Sequence, residues 1–212
     1  MKRNCVVLLS GGLDSAVTLA YTLRLGDKAF TLSFDYEQKH RKELKQAKMI
    51  ADFYSVSNKV VEIRLPWSGS SLLGEGEIPE KTEEGIPNTF VPGRNIIFLA
   101  LASGYASVIG AHDIYYGANS IDFSGYPDCR PEFVRSMNIA LAYGLKERVS
   151  ISAPLIEMSK AEIVQMGVDF KVPMELTWSC YKGGETPCGV CPSCRLRAKG
   201  FRIAKIPDPA LQ

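Results

Sequence analysis

No run in the 212 residues approaches the roughly 18 consecutive apolar residues that a membrane span needs, and the apolar stretch from Cys5 to Leu9 is too short for the core of a signal peptide. The expectation is therefore a soluble, cytoplasmic protein without membrane contact. An excess of one charge is also lacking. Lys and Arg total 25 against 23 acidic residues, a formal +2, so overall charge gives no reason to bind nucleic acid. Internal repeats are absent, and there is no room for a second full domain.

What is there is a chain that is 46% hydrophobic, enough to bury a real core. Apolar β-rich runs alternate with helical patterns. Strands are expected at 5–9, 29–34, 59–63, 114–116 and 149–152, and helices at 15–25, 39–54, 131–143 and 159–166. In the second helix Leu44, Ala47, Ile50 and Ala51 share one face. Ser159 and Glu162 have the spacing of a capping box at the start of the last one. The run after Asn95 is apolar almost all round, which implies a helix buried on most sides or packed at a subunit interface. Residues 67–88, rich in Gly, Ser, Pro and Glu, are too long for an ordinary connection and read as an insertion or lid. Alternating β and α units predict an α/β fold, a doubly wound and mostly parallel five-stranded sheet.

In such sheets ligands bind beyond the C-terminal ends of the strands. The first strand runs there into Leu-Leu-Ser-Gly-Gly-Leu-Asp-Ser, residues 8–15. Gly11 and Gly12 let backbone approach an anion, the first helical amides point at it, and Ser10 and Ser15 add hydroxyls. The lysine of a Walker-type loop is missing. Asp14 is the odd member, because a carboxylate beside a phosphate needs a cation or a donor network between them.

Four of six cysteines crowd into Cys180-x7-Cys188-x2-Cys191-x2-Cys194, while Cys5 and Cys129 stand apart. In a reducing compartment this clustering argues for metal rather than disulfides. Four thiolates match a closed tetrahedral zinc site, with Gly189, Pro192 and Ser193 permitting tight turns between ligands; an iron–sulfur cluster is the rival. The expected division is a nucleotide-binding unit over 1–170 and a small zinc-binding segment over 171–212 packed on it.

The loop resembles the PP-loop of the N-type ATP pyrophosphatases, which cut ATP between its α and β phosphates. The missing cation then comes from elsewhere, and Lys160 is similar to that residue; without the resemblance it reads as a solvated helix lysine. Within the superfamily the chain resembles the 7-cyano-7-deazaguanine synthase family of queuosine biosynthesis, nearly end to end. The likeness rests on the loop, on Phe34-Asp35-Tyr36 with Gln38 and His40, and on Asn88-Thr89-Phe90-Val91-Pro92-Gly93-Arg94-Asn95. It continues through Asp122-Phe123-Ser124-Gly125-Tyr126-Pro127-Asp128-Cys129-Arg130 and Thr177-Trp178-Ser179-Cys180. One departure is Tyr36-Glu37-Gln38-Lys39-His40, where the family pattern reads Tyr-Gly-Gln-Arg-His.

The resemblance implies that 7-carboxy-7-deazaguanine, ammonia and ATP are converted to a nitrile through adenylated intermediates, first of the carboxylate and then of the amide. No step requires a protein nucleophile, in keeping with only two histidines, His40 and His112. Catalysis would rest on positioning and charge, with Asp14, Lys160 and Arg94 as its residues. The implied ATP site comprises Leu8, Leu9, Ser10, Gly11, Gly12, Leu13, Asp14, Ser15, Ala16, Val17, Thr18, Phe34, Tyr36, Gly117 and Lys160, with Mg2+ accompanying the nucleotide. Phe34 and Tyr36 read equally as adenine flanks or as core packing.

A guanine-like edge suits a carboxylate and its face suits an aromatic ring. Arg94, Asp122, Phe123, Tyr126, Asp128 and Glu132 are the substrate candidates, although Gly-Tyr-Pro-Asp is also ordinary turn chemistry and Asp128 is as readily a turn former. Arg94 could instead pair with an acidic neighbour at a helix entry. Zn2+ would be structural and the assembly a homodimer. Two other functions fit parts of the chain. A PP-loop tRNA thiolase would need a persulfide cysteine, for which Cys129 is the candidate, and an RNA surface. A non-enzymatic zinc-ribbon module could use Arg195, Arg197, Lys199 and Arg202 on phosphates, but needs no phosphate loop.

Overall fold

The computed structural model describes residues 3–74, 77–78, 80, 85–119 and 126–211. Five strands, β1 (Asn4–Leu8), β2 (Lys28–Asp35), β3 (Ser57–Glu62), β4 (Asp113–Tyr115) and β5 (Ser150–Ser152), form one sheet in the order β3-β2-β1-β4-β5. Every pairing is parallel, with Val6 of β1 opposite Phe30 of β2 on one side and Ile114 of β4 on the other. Cys5, Val6 and Val7 are fully buried because the central strand has helices on both faces.

Helices α1 (Leu13–Arg24), α2 (Lys42–Phe53), α5 (Lys160–Asp169) and α6 (Pro192–Ala204) contribute to the core on one face. Helices α3 (Arg94–Val108) and α4 (Pro131–Gly144) cover the other. The chain winds outward from β1 to β2 and β3, then returns to place β4 and β5 on its far side. The reversal lies between β1 and β4, so their C-terminal ends open a crevice there.

The elements differ from the sequence expectation by one to three residues at most ends, except in two places. Pro192 and Ser193 do not make a turn between cysteines; Pro192 occupies the first turn of α6, where its missing N–H costs nothing. Helix α3 is not buried on most sides either. Phe98, Leu99, Ala102, Ser103 and Ala106 face the core, while Ile96, Leu101 and Val108 are exposed. The C-terminal segment shares the main core through Val172, Met174 and Phe201. Within the expected insertion, Ile78 packs against Trp178, Cys180, Cys191 and Cys194.

Candidate active site

After β1 the chain turns through Leu9, Ser10, Gly11 and Gly12 into α1. Gly11 has φ +90°, and a Cβ on it would run into the Glu43 carbonyl of α2, so both the turn and the packing require glycine. Gly12 starts α1 with no side-chain cap. The amides of the first turn therefore lack intrahelical acceptors and remain available to an anion. Ser10 Oγ and Ser15 Oγ bond each other at 3.1 Å, and Ser15 Oγ also donates to the Gly12 carbonyl at 2.9 Å. The Trp178 amide donates to the Gly11 carbonyl at 2.9 Å and ties the loop to the cysteine-bearing segment.

A cavity of about 320 Å³ opens at this loop. Leu8, Leu9, Ser10, Gly12, Leu13, Asp14 and Ser15 line it, as do Phe34, Tyr36, Gly117 and Lys160. Ala16, Val17 and Thr18 are instead fully buried within α1. Gly117, just past β4, is required by contact: a Cβ there would lie 2.9 to 3.0 Å from the backbone of Asp14 and Ser15.

Lys160 reaches the loop across 146 residues, donating to both oxygens of Asp14 at 2.7 and 2.6 Å. The cation that the loop lacks in sequence is thus present in space. Several contacts aim it. Ser159 caps α5, with Glu162 completing the box through the Ser159 amide at 2.7 Å. Asn119 donates to the Met158 carbonyl and fixes the approach to α5. On α6, Gly200 leaves room for the Lys160 stem, which a Cβ there would strike.

The far wall carries Arg94, the first residue of α3. Its Nη1 donates to Tyr36 Oη at 3.2 Å, and among the described residues no carboxylate forms an ion pair with it. The helix-entry pairing considered from the sequence is therefore not made among the described residues, and toward them the guanidinium keeps donors for an anion in the cavity. Phe34 stacks on Phe98 at 4.0 Å and Tyr36 meets Phe98 edge-on at 5.4 Å. One face of Phe34 is thus occupied by protein. Glu37, where the family pattern has glycine, adopts φ +60°, a left-handed conformation that glycine takes without strain.

The acidic candidates separate. Tyr126 lines the cavity and shares a 2.6 Å bond with Thr89 Oγ1. Asp128 is buried but lies outside the cavity lining, where burial raises its pKa while Arg94 and the Asn95 amide hold it down. It anchors the first turn of α3 beside Arg94. Glu132 is exposed and pairs with Arg135 at 2.6 Å, away from the cavity. Asp122 and Phe123 lie outside the described residues. Cys129 does line the cavity, but burial, reinforced by Asp128, pushes its thiol up to about 12.

Several lining residues carry no site signal in the sequence, Tyr181 and Glu43 among them. Tyr181 follows the first clustered cysteine, and Glu43 sits in the first turn of α2. Burial raises the Glu43 pKa from 4.5 to about 7, against an opposing contribution from Arg94.

The sulfurs of Cys180, Cys188, Cys191 and Cys194 lie within 4.8 Å of one another, Cys188 and Cys194 at 4.0 Å. Zinc with bonds of about 2.3 Å holds four sulfurs roughly 3.8 Å apart, so the four fit a closed tetrahedral site. The amides of Cys188 and Cys191 donate to the sulfurs of Cys180 and Cys188, each at 3.4 Å, as outer partners that orient metal ligands do. Arg197 of α6 braces the adjoining wall. It pairs with Asp208 at 2.6 Å and donates to Thr177 Oγ1 at 2.7 Å and Ser179 Oγ at 3.3 Å.

Comparison with known proteins agrees with this geometry. The family model described as queuosine biosynthesis protein QueC matches residues 4–205. The 7-cyano-7-deazaguanine synthase of Thermoplasma volcanium is 50% identical, the match covering 99% of this chain and 90% of that one. Its counterpart from Pseudomonas fluorescens is 47% identical over 98% and 97%. Among solved structures, a 4-thiouridine synthetase in complex with RNA and bound ATP superposes with a TM-score of 0.52. It is 18% identical, over 96% of this chain and 50% of that one, a likeness of fold.

Proposed function

The chain belongs to the queuosine biosynthesis protein QueC family, and from that premise we propose the chemistry of its cavity as follows. It is an ATP-dependent carbon–nitrogen ligase that converts 7-carboxy-7-deazaguanine and ammonia into 7-cyano-7-deazaguanine through adenylated intermediates. A carboxylate is a poor electrophile. Its oxygen attacks the α-phosphate of ATP, pyrophosphate leaves, and ammonia displaces AMP to give the amide. Adenylation of the amide oxygen and loss of a second AMP complete the dehydration.

The observation that carries this reading is Lys160 on Asp14 at the uncapped start of α1. Charge developing on a departing pyrophosphate would meet helix amides and an ammonium held in place beforehand, with no reorganisation needed at the moment of reaction. Arg94, on the opposite wall, suits the substrate carboxylate or the α-phosphate. Tyr126 offers an aromatic face to the base. The aromatic group of Phe34 and Tyr36 borders the adenine side. Mg2+ would enter with the ATP phosphates.

Zn2+ held by Cys180, Cys188, Cys191 and Cys194 would keep residues 171–212 folded against the nucleotide-binding unit and take no substrate, since all four positions are filled by protein. The site of action would be the cytoplasm and the assembly a homodimer. The thiolase alternative is weakened at Cys129, whose thiol, pushed up to about 12, makes a poor persulfide carrier at neutral pH. Incubation with ATP, ammonium and the carboxylate, read by mass spectrometry, is the test. AMP and nitrile are the expected products; ADP and phosphate would refute attack at the α-phosphate.

A further inference from the structure

The proposed reaction strips all four protons from the ammonium nitrogen, and two of these losses make the electron pairs that form bonds to carbon. Ammonium must lose one to become a nucleophile, and the adenylated amide must lose its N–H as the carbon–nitrogen triple bond forms. Among the described residues the cavity wall has few groups that could take them. Of its two carboxylates, Asp14 already accepts from Lys160 on both oxygens. His40 also borders the cavity, but its Nε2 is closed off from solvent and its ring is packed against Gly183. His112 lies elsewhere, its Nδ1 against the Arg148 carbonyl.

Glu43 is left. It carries no ion pair or hydrogen bond through its carboxylate to the described residues. The groups facing it from other elements are Arg94 on α3, Tyr36 after β2 and Tyr181 in the cysteine segment. On its own stretch, the Lys42 ammonium is engaged by the Gly184 and Glu185 carbonyls and lies over the Trp178 ring, and Arg41 pairs with Asp35. Arg94 stands near enough to influence the carboxylate without neutralising it by contact. Both side chains line the same cavity, so a substrate anchored on Arg94 lies in the space that Glu43 borders.

We propose that Glu43 is the general base that takes the proton from nitrogen in both steps, an inference that rests on the function proposed above. In the first, ammonium gives a proton to the Glu43 carboxylate, the freed lone pair attacks the acyl carbon, the carbon–oxygen bond to AMP breaks with its electron pair leaving on AMP, and the departing AMP phosphate takes the second proton that the new amide nitrogen sheds. In the second, the amide nitrogen loses one proton to the departing pyrophosphate as its oxygen is adenylated; Glu43, having released its first proton to solvent, removes the remaining N–H proton, that electron pair becomes the third carbon–nitrogen bond, and AMP again leaves. A pKa raised to about 7 by burial matches such a base to neutral pH.

The experiment uses the full-length enzyme with two substrates. Wild type and Glu43→Gln are given the primary amide with ATP, which reads the second step without the titration of ammonium. ATP–pyrophosphate exchange with the carboxylate, in the absence of ammonium, reads adenylation alone. Glu43→Gln is expected to lose nitrile formation by ~10²- to 10⁴-fold while exchange stays within about fivefold. In wild type the rate from the amide falls about tenfold per pH unit below about 7, and the residual rate of Glu43→Gln lacks that limb. Glu43→Asp, a shorter carboxylate, retains the limb at a reduced rate and serves should Glu43→Gln fail to fold. Nitrile formation within threefold of wild type, an acid limb common to wild type and Glu43→Gln, or a parallel loss of exchange would each overturn the assignment. A wild type that forms neither AMP nor nitrile sinks the function itself; one that forms both beside an equally active Glu43→Gln sinks only the role of Glu43.

Discussion

Lys160 and Asp14 show how a charge can be placed for a transition state without being bound up in the fold. Their side chains are 11% and 24% exposed, so water still reaches the pair through the cavity. Deleting the ammonium should therefore cost less stability than breaking a fully dry pair would. Lys160→Met keeps the stem that packs beside Gly200 and removes only the charge. Pyrophosphate-forming turnover is expected to fall ~10²- to 10³-fold, with unfolding in urea shifted by no more than about 2 kcal/mol. Turnover within threefold of wild type would remove Lys160 from the nucleotide site. Glu43 presents the opposite balance. Its carboxyl has a folded pKa of about 7 against 4.5 for the free group, so the folded state holds its proton where the unfolded chain has already lost it. Stability from that proton is full below pH 4.5 and lost as pH rises through about 7. Glu43→Gln removes the penalty, and at pH 8 it is expected to unfold about 1 to 3 kcal/mol less readily than wild type, with the difference vanishing near pH 4. Equal stability at both pH values would mean that the Glu43 carboxylate is not desolvated.

At the level of elements, the cysteine segment joins metal to cavity. Trp178 bonds the loop through its amide, Ser179 is braced by Arg197, and Cys180 is the first sulfur of the cluster. Removing the metal would leave four converging thiols with no centre, and the strain falls on a wall of the active site. Chelation is expected to raise hydrogen exchange across 178–195 and weaken ATP binding at least tenfold, while exchange in β1 and β2 is unchanged. Metal analysis should find one zinc per chain; iron with sulfide would favour the cluster alternative, and a metal-free enzyme with full activity would overturn a structural role. The same segment marks how far the sequence could be read. Strands, the loop and the four sulfurs were legible because period, glycine pairs and cysteine spacing are local signals, whereas Lys160 was legible only through the family resemblance, since alone it reads as a solvated helix lysine. Helix α6 was missed because its start falls inside the cysteine spacing, although Pro192 at its first turn is a start signal of its own. Glu43 was missed for a different reason. Periodicity along α2 separates the apolar face of Ala47, Ile50 and Ala51 from charged positions, but it cannot say that one charged position meets the crevice at the sheet switch point. Asp128 and Glu132 fall outside the cavity lining by the same limit: spacing places a residue near a site without fixing which way it turns.

The whole molecule puts its chemistry at one end of the sheet and an apolar surface on one side. Helices α3 and α4 make up the layer on that side, and neither is well covered. After Arg94, α3 has no charged residue along its length. Leu101 is 41% exposed and Val108 83%, while α4 fully buries only Leu141 and leaves Ile139 and Tyr143 out. An uncharged helix face of this kind fits a two-fold contact with a second copy, in which the same residues meet across the axis. Ala100 and Gly104, small and exposed, would let two α3 helices approach closely. Such a contact would lie away from the loop and Lys160, so assembly and chemistry should be separable. Leu101→Lys combined with Val108→Lys would place four like charges in such an interface, two from each copy, and desolvating even part of them costs several kcal/mol. Light scattering is expected to give twice the 23.3 kDa chain mass for wild type and a single chain for the double variant, with the urea midpoint and ATP affinity retained. A wild type that is monomeric at micromolar concentration would show that this face covers nothing, and a double variant that remains a dimer would move the interface elsewhere.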